Sequence, residues 1–597
     1  MIELIISLAL AAVLLLFVVF GLLWGLKRGL KKTLFRAAWL AVTAVLLFVF
    51  TPMITRAVMN ADLSALDLNV GGEQVTTLQE YVVTLLGQDA DLGQIAADNP
   101  QAVSSLVQIA SLAVNVFVFV LLFWALKIVL WPIWAILSAI FIRKRTLSGE
   151  KKPQHRLWGM LAGAVLGLLV CMITLTPLTG TANFALAVED QTKGTALAAQ
   201  LAGGQADPDK GLLLQAAGEE NARYIELYRD SVGRKILRYT GMEALSDWIY
   251  GGLSSNTVNG VRVSLTDEVL TALSVADRGM ALLDVDFENL TKEQLTQLLS
   301  DLRGLNEDIF SIGVLSAVGN DLMPYFIAKA ADGEWFELPD LGTPELNAAL
   351  SDTLRGLEGL TFADLKNEID RVLDVGVLLN NEDILPDLLA GGEPDFEAIA
   401  AKVDEEFASS LADALFSMKS ITVAFPAFLG AGLDFAIEEL GGALPEGAGG
   451  SATAEQMKTF LVDLLTDGVE LYQSLDPDSD YYLTQPSLAL AGSLLDTVRQ
   501  YPGIGAERYA ALVNAFEIKI RTALEENLTD PELEGIRSVL FDLVDGLSEA
   551  DSFGADFAVL GEKFDDFVAF ADGVRAEPAE VRLTELGGVL DLSLIHI

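Results

Sequence analysis

The sequence predicts a mainly α protein: a four-helix transmembrane bundle followed by a large, acidic, mostly helical extracytoplasmic region with one short β-hairpin. Three observations carry this. Apolar runs long enough to cross a bilayer, about 20 residues each, crowd into the first 180 positions. Charge divides at the same place: residues 1–179 hold 13 Lys/Arg and 9 Asp/Glu, a net of +4, whereas 180–597 hold 26 and 74, a net of −48. The long remainder shows the three-and-four apolar spacing of amphipathic helices.

The first span covers about 4–26, apolar apart from Ser7. Its basic residues follow the apolar core instead of preceding it, which fits an uncleaved helix and not a signal peptide. The second covers 34–55. Residues 103–142 are an apolar block interrupted by Lys127 and Pro132, with Trp124, Trp131 and Trp134 beside them. One span over 105–127 followed by an interfacial segment fits, with lysine snorkelling and tryptophans at headgroup level; two spans with a tight turn near Lys127 is the other reading. The last span covers 157–178.

Basic residues predict the orientation. Lys27, Arg28, Lys31, Lys32 and Arg36 lie between the first two spans, and Arg143, Lys144, Arg145, Lys151, Lys152 and Arg156 precede the last. Both loops are expected on the cytoplasmic side of the cell membrane. Residues 57–102 contain seven acids and no Lys or Arg, as suits an outside loop. The N-terminus and the acidic remainder are then extracytoplasmic.

Glycines recur at intervals of four in "GLLWGLKRG" (Gly21, Gly25, Gly29) and in "GMLAGAVLG" (Gly159, Gly163, Gly167). Glycine is the ordinary residue that most weakens a helix. In lipid, however, small residues let two backbones approach and supply much of the association. Both stripes fall toward the cytoplasmic leaflet, so each is the other's expected packing partner. Pairing of one stripe with its own copy in a homo-oligomer is the alternative.

These same residues carry a resemblance. "GLLWGLKRGLKKTLFRAAWLAV" and "HRLWGMLAGAVLGLL" resemble segments of the colicin V production protein (CvpA) family, over residues 1–180 only. The resemblance maps Arg28, Gly29, Arg156, Gly159, Gly163 and Gly167 onto family positions, while Glu3 stands where aspartate is usual. It implies four bacterial membrane helices and a role in toxin production or export, or in the cell envelope. The exterior region of roughly 420 residues has no counterpart in small family members.

Residues 181–440 and 456–591 read as two helical regions, separated by a Gly-rich linker at 441–455 ("GGALPEGAGGSATAE"). "TVNGVRV" (257–263) is the one strong strand signal, with Asn259-Gly260 suited to a two-residue hairpin turn. Pro324, Pro386 and Pro426 are spaced 62 and 40 apart, too irregular for a solenoid, and are expected to start or stop helices. The last six residues, "LSLIHI" (592–597), back-translate to a transposon-end adapter and are read as adapter-derived, which leaves His596 without a role.

Several function classes lose their raw material. The acidic excess repels nucleic acid phosphates, so the expected partners are the lipid bilayer and envelope or export proteins. One cysteine, Cys171, and two histidines, His155 and His596, leave little for thiol, triad or histidine–zinc chemistry. Asp476, Asp478 and Asp480 alternate like a calcium loop, but Tyr481 replaces the required glycine and Ser487 the bidentate glutamate, so the metal signal is weak. Apart from Lys127 the spans carry no central charge to mark a transport path. The expectation is a non-enzymatic membrane protein without a cofactor that presents its acidic ectodomain for toxin production, export or envelope assembly. The alternative is a membrane-tethered hydrolase that uses paired carboxylates on envelope glycans.

Overall fold

The computed structural model describes residues 2–64, 69–70, 73–87, 95, 97–141, 155–201, 210–216, 225–283, 285–286, 290–333, 341–389, 395–443, 450–475 and 484–527. Among the described residues the protein is mostly helical, with two small two-stranded antiparallel ladders. It divides into two compact units, Met1–Val285 with Glu307–Leu322, and Asp286–Asn306 with Met323–Ile597. Among the described residues five helices are long and apolar enough to cross a membrane, as a membrane protein requires.

The first unit opens with α1 (Ile2–Arg28) and α2 (Leu30–Met59), joined by Gly29 alone. A short ladder, β1 (Asn69–Val70) with β2 (Glu73–Gln74), leads to α3 (Leu78–Leu86). The apolar block becomes α4 (Pro100–Val129) and, after a break at Leu130, the 11-residue α5 (Trp131–Phe141). Then α6 runs without interruption from Arg156 to Thr192, so residue 180 falls inside a helix. Beyond it come α7 (Ala196–Leu201), α8 (Leu212–Ala216), α9 (Val232–Tyr239), α10 (Met242–Leu253), the hairpin β3 (Ser255–Val258) and β4 (Val261–Ser264), and α11 (Leu265–Leu283).

The apolar exterior of the membrane-length helices has a physical meaning. Leu15, Phe20, Leu23, Val45, Met53, Phe117, Leu121 and Leu161 all stand exposed on them, a density of apolar surface that water does not tolerate but lipid does. Inside, Leu47, Val116, Phe119, Phe123 and Ile173 pack with Ile249 and Leu253 of α10. The hydroxyls of Thr33, Thr43, Thr51, Thr176 and Thr179 donate to carbonyls four residues back, whereas that of buried Thr55 has no partner among the described residues.

The hairpin turns at Asn259 (φ 50°) and Gly260 (φ 80°), the left-handed pair that a two-residue turn demands. Its Val258 and Val263 bury against Ala102, Ile109 and Leu112 of α4. The Asn259 amide donates to Ser105 Oγ, Ala317 O and Asp321 Oδ2, at 2.8–2.9 Å. Ala317 and Asp321 belong to α13 (Gly313–Ala331), which follows α12 (Lys292–Ser311) across a bend of 81°.

The second unit continues with α14 (Pro344–Gly356), α15 (Phe362–Asn381), α16 (Ile384–Leu389), α17 (Phe396–Ala400) and α18 (Glu405–Phe416). It ends, among the described residues, with α19 (Lys419–Glu439), α20 (Ala454–Ser474), α21 (Gln485–Gln500) and α22 (Ala506–Asn527). Its core is aromatic: Phe460 stacks on Tyr501 at 4.1 Å, and Phe425 meets Phe416 edge-on at 5.1 Å. The fifth membrane-length helix is α19, and it supplies Phe425 to this core. Its Asp434 is held by Arg508 of α22 through two hydrogen bonds of 2.6 and 3.0 Å.

The prolines correct an expectation. Pro324 and Pro426 lie inside α13 and α19, not at helix ends. An interior proline forfeits a backbone hydrogen bond at a cost of about 3 kcal/mol. Burial on both sides opposes that cost, by Ala317 and Val318 before Pro324 and by Ile327, Ala330 and Ala331 after it. Pro386 sits in the first turn of α16, where its missing N–H matters little.

Candidate functional site

The six glycines meet. A Cβ built on Gly21 would stand 2.1 Å from Gly163 O, and one on Gly25 only 2.0 Å from Gly159 O. Gly159 faces the Cα of Gly29 at 2.8 Å, and Gly167 faces Phe17 O at 2.3 Å, on the same reckoning. Two backbones therefore run in contact along α1 and α6, and both stripes are taken up within one chain. Gly29 has a second task. Its φ of 76° lets α1 end and α2 begin across a single residue, while its N–H still donates to Gly25 O at 2.8 Å.

That junction concentrates charge. Lys27 and Arg28 close α1, Lys31 and Lys32 open α2, and Arg36 lies one turn further on. Arg156 is the first residue of α6. Arg143, Lys144, Arg145, Lys151 and Lys152 lie outside the described residues, as do Asp476, Asp478, Asp480 and 592–597. Among the described residues no group of three or more His, Cys, Asp or Glu suits a metal ion.

A cavity of about 340 Å³ opens beside the glycine seam, and Gly21, Gly25, Gly163 and Gly167 line part of its wall. One end is basic and aromatic. The Arg28 guanidinium lies over the Trp24 ring at 4.4 Å and the Arg36 guanidinium over the same ring at 4.0 Å. Both also face Trp134, at 5.7 and 5.6 Å. Lys127, from the last turn of α4, sits 4.1 Å from the Trp124 ring, and Lys32 completes the cationic set. The other end is apolar, walled by Leu16, Phe17, Phe20, Leu40 and Leu166.

Two features set this cavity apart. Residues 4–61, 99–149 and 151–188 contain no Asp or Glu, so apart from Glu3, Glu189 and Asp190 at the far ends of α1 and α6, the membrane-length helices of the first unit offer these cations no countercharge. Two guanidiniums sharing one indole repel each other. The rings relieve part of that through cation–π attraction of roughly 0.5–2 kcal/mol per contact. The buried Trp134 Nε1–H has no acceptor among the described residues. Arg36, Lys127 and Trp134 are 91 and seven residues apart in the chain. Sequence reading marks Lys127 and the tryptophans as interfacial, but carries no signal that they converge on Arg28.

A second cavity, of about 590 Å³, lies at the opposite end of the same helices, lined by Phe48, Gly180, Asn183, Asp247, Trp248 and Asp267 among others. The Asn183 amide donates to Asp247 Oδ1 at 2.8 Å, and Tyr228 OH donates to Asn183 Oδ1 at 2.8 Å. Burial pushes the Asp247 carboxyl above the usual carboxylate range; the Asn183 hydrogen bond opposes this and the Glu243 charge adds to it. Buried Glu189, at the far end of α6, accepts from the backbone N–H of Gly211 and Leu214 and so caps α8. That role is architectural.

No family model, curated protein or solved structure matches this chain.

Proposed function

We propose that this is a non-enzymatic, multi-pass protein of the cell membrane, similar to the CvpA family over its first 180 residues. In this reading α1, α2, α4 and α6 span the bilayer with their basic ends in the cytoplasm. The N-terminus and the acidic helical remainder are extracytoplasmic. There they serve toxin production or export, or assembly of the envelope, through contact with other envelope proteins.

One observation supports the reading most. Among the described residues, α9, α10 and the β3–β4 hairpin meet the spans between mid-length and the end away from the basic residues. Leu237 of α9 buries against Leu14, Cys171 and Met172. Trp248 of α10 faces Phe48, a little past the middle of α2, at 5.9 Å. The β3–β4 hairpin covers the N-terminal half of α4. One end of the spans is thus acid-free and basic, while the following elements of the first unit pack from mid-span toward the other, an asymmetry that supports this orientation under the positive-inside rule.

Cysteine labelling tests it. With buried Cys171 as background, single cysteines replacing Ser64 and exposed Thr257 are expected to react with a membrane-impermeant thiol reagent in intact cells. One replacing Thr146, in the second basic loop, is expected to react only after lysis. The reverse pattern overturns the orientation. The hydrolase alternative draws on the cavity that holds Asp247 and Asp267. It predicts release of envelope glycan fragments by the purified protein, lost in Asp247→Asn, and fails if the wild-type protein releases none.

A further inference from the structure

The cavity between Trp24, Arg28, Arg36, Lys127 and Trp134 has chemistry that membrane anchoring alone does not require. We infer that it is a binding site for an anionic amphiphile, a lipid whose headgroup is a phosphomonoester or diphosphate. The inference rests on the membrane reading above and adds a ligand to it.

The basic end fits phosphate oxygens. Arg28 and Arg36 present planar forks that match phosphate in pairs of hydrogen bonds, and Lys127 and Lys32 add point charges. Held together without a carboxylate between them, these groups gain most from a ligand that brings two or more negative charges on one centre. The Trp134 Nε1–H, buried and without an acceptor among the described residues, supplies a neutral donor that phosphate oxygen satisfies. Trp24 and Trp134 fix the guanidiniums from the side, so the site is organised before the ligand arrives.

The apolar end points to a lipid as the source of that phosphate. Leu16, Phe17, Phe20, Leu40 and Leu166 continue the cavity wall from the charged groups along the helices. An inorganic anion leaves this half of the site unused, whereas an acyl or prenyl chain fills it. A volume of about 340 Å³ accommodates a headgroup and the first part of one chain. Arg and Trp at a bilayer interface are ordinary in themselves. A glycine-walled recess with an unsatisfied buried donor and no countercharge is not.

The test uses the full-length protein in neutral detergent, with native mass spectrometry after addition of dioleoyl phosphatidic acid or dioleoyl phosphatidylcholine. These probes share their chains and differ in headgroup charge. The expectation is one retained phosphatidic acid, at least tenfold favoured over phosphatidylcholine, because hydrogen bonds to charged groups are strong. Arg36→Gln is expected to lower that retention about tenfold and Trp134→Phe severalfold. Arg56→Gln, which removes the same charge from the far end of α2, is expected to leave it unchanged. Thermal melting of each variant separates lost binding from lost fold, and if Arg36→Gln does not fold, Trp134→Phe decides.

Equal retention of the two lipids, or retention insensitive to both site variants, overturns the proposal. Millimolar inorganic phosphate separates the two sources of the same chemistry. Little displacement supports the lipid, and complete displacement makes the cavity a free-phosphate site and overturns the lipid assignment. Binding in detergent is independent of thiol labelling in cells, so failure here leaves the topology standing and the reverse also holds.

Discussion

The α1–α6 seam and the aromatic core of the second unit solve the same problem with opposite means. Along the seam side chains are removed until backbone touches backbone, and Gly21, Gly25, Gly159 and Gly163 leave no room for a single methyl. In the second unit Phe416, Phe425, Phe460 and Tyr501 fill the space between helices with rings. Under the proposed topology the solvent explains the difference. In water, burying a phenyl ring is favourable by itself, because apolar area leaves the solvent. In lipid that gain is absent, and close van der Waals contact between small residues takes its place. The same seam also builds the wall of the phosphate cavity, so packing and binding share residues in the first unit.

The seam has least tolerance at Gly25. Any side chain there collides with Gly159 O, and a contact at 2.0 Å has no relaxed form short of separating the helices. Overpacking of even one or two methylenes costs about 1–3 kcal/mol. Gly25→Ala is therefore expected to sit at the upper end of that range, and Gly25→Leu to abolish a monodisperse, cooperatively melting protein in detergent. Helix propensity alone points the other way, favouring leucine by roughly 1 kcal/mol. A Gly25→Leu variant that melts at or above the wild-type temperature means the seam does not hold the first unit together.

How far the sequence reveals this can be seen residue by residue. Glycine at every fourth position and the Asn259-Gly260 turn are local signals with a local cause, so their spacing is readable without coordinates. The stripe on α1 and the stripe on α6 are 130 or more positions apart, and matching depth in a shared bilayer, with the resemblance that links them, suggests that they meet. The cluster of Arg28, Arg36, Lys127 and Trp134 shares a depth as well, but depth alone does not join it, because basic residues and tryptophans belong at any membrane interface. Pro324 and Pro426 mislead for the opposite reason. The local rule that proline ends a helix is real, but burial on either side outweighs it. The apolar character of α19 is masked in the sequence by the acidic segments around it, and the ladder at Asn69–Gln74 is too short to leave a pattern.

Under the proposed topology the second unit is held together by burial from water. Phe460 is buried and stacked on Tyr501, so Phe460→Ala removes both transfer energy and a ring–ring contact. Large-to-small changes of this kind cost about 3–5 kcal/mol. Pulse proteolysis of the full chain in urea is expected to show the second unit cleaved at lower denaturant, with fragments of the first unit unaffected. Equal loss in both units contradicts the division of the chain into separately stabilised parts.

The smallest expected effect concerns charge, and it too separates the two regions. No acid lines the phosphate cavity of the first unit, whereas α15 in the second unit carries Asp364 in its first turn. Thr361 Oγ1 accepts from the Asp364 N–H at 3.1 Å, and Asp364 Oδ2 accepts from the Thr361 N–H at 2.9 Å, a reciprocal cap. The Thr361 backbone hydrogen bond, then its side chain, hold the Asp364 carboxyl below the usual range, and Lys419 at 3.6 Å adds to this. A carboxylate depressed by folding stabilises the native state above its unfolded value near 3.9, and that contribution disappears as pH falls through the folded value. Amide exchange at Thr361 and Asp364 is therefore expected to quicken below about pH 4 relative to the middle of α15. Asp364→Asn removes the negative charge at every pH, so it is expected to cost up to about 1 kcal/mol at neutral pH and to flatten the acid response at those two amides. An unchanged acid profile in Asp364→Asn assigns the fraying to other carboxylates of the second unit, Asp370 with its Lys366 partner first among them.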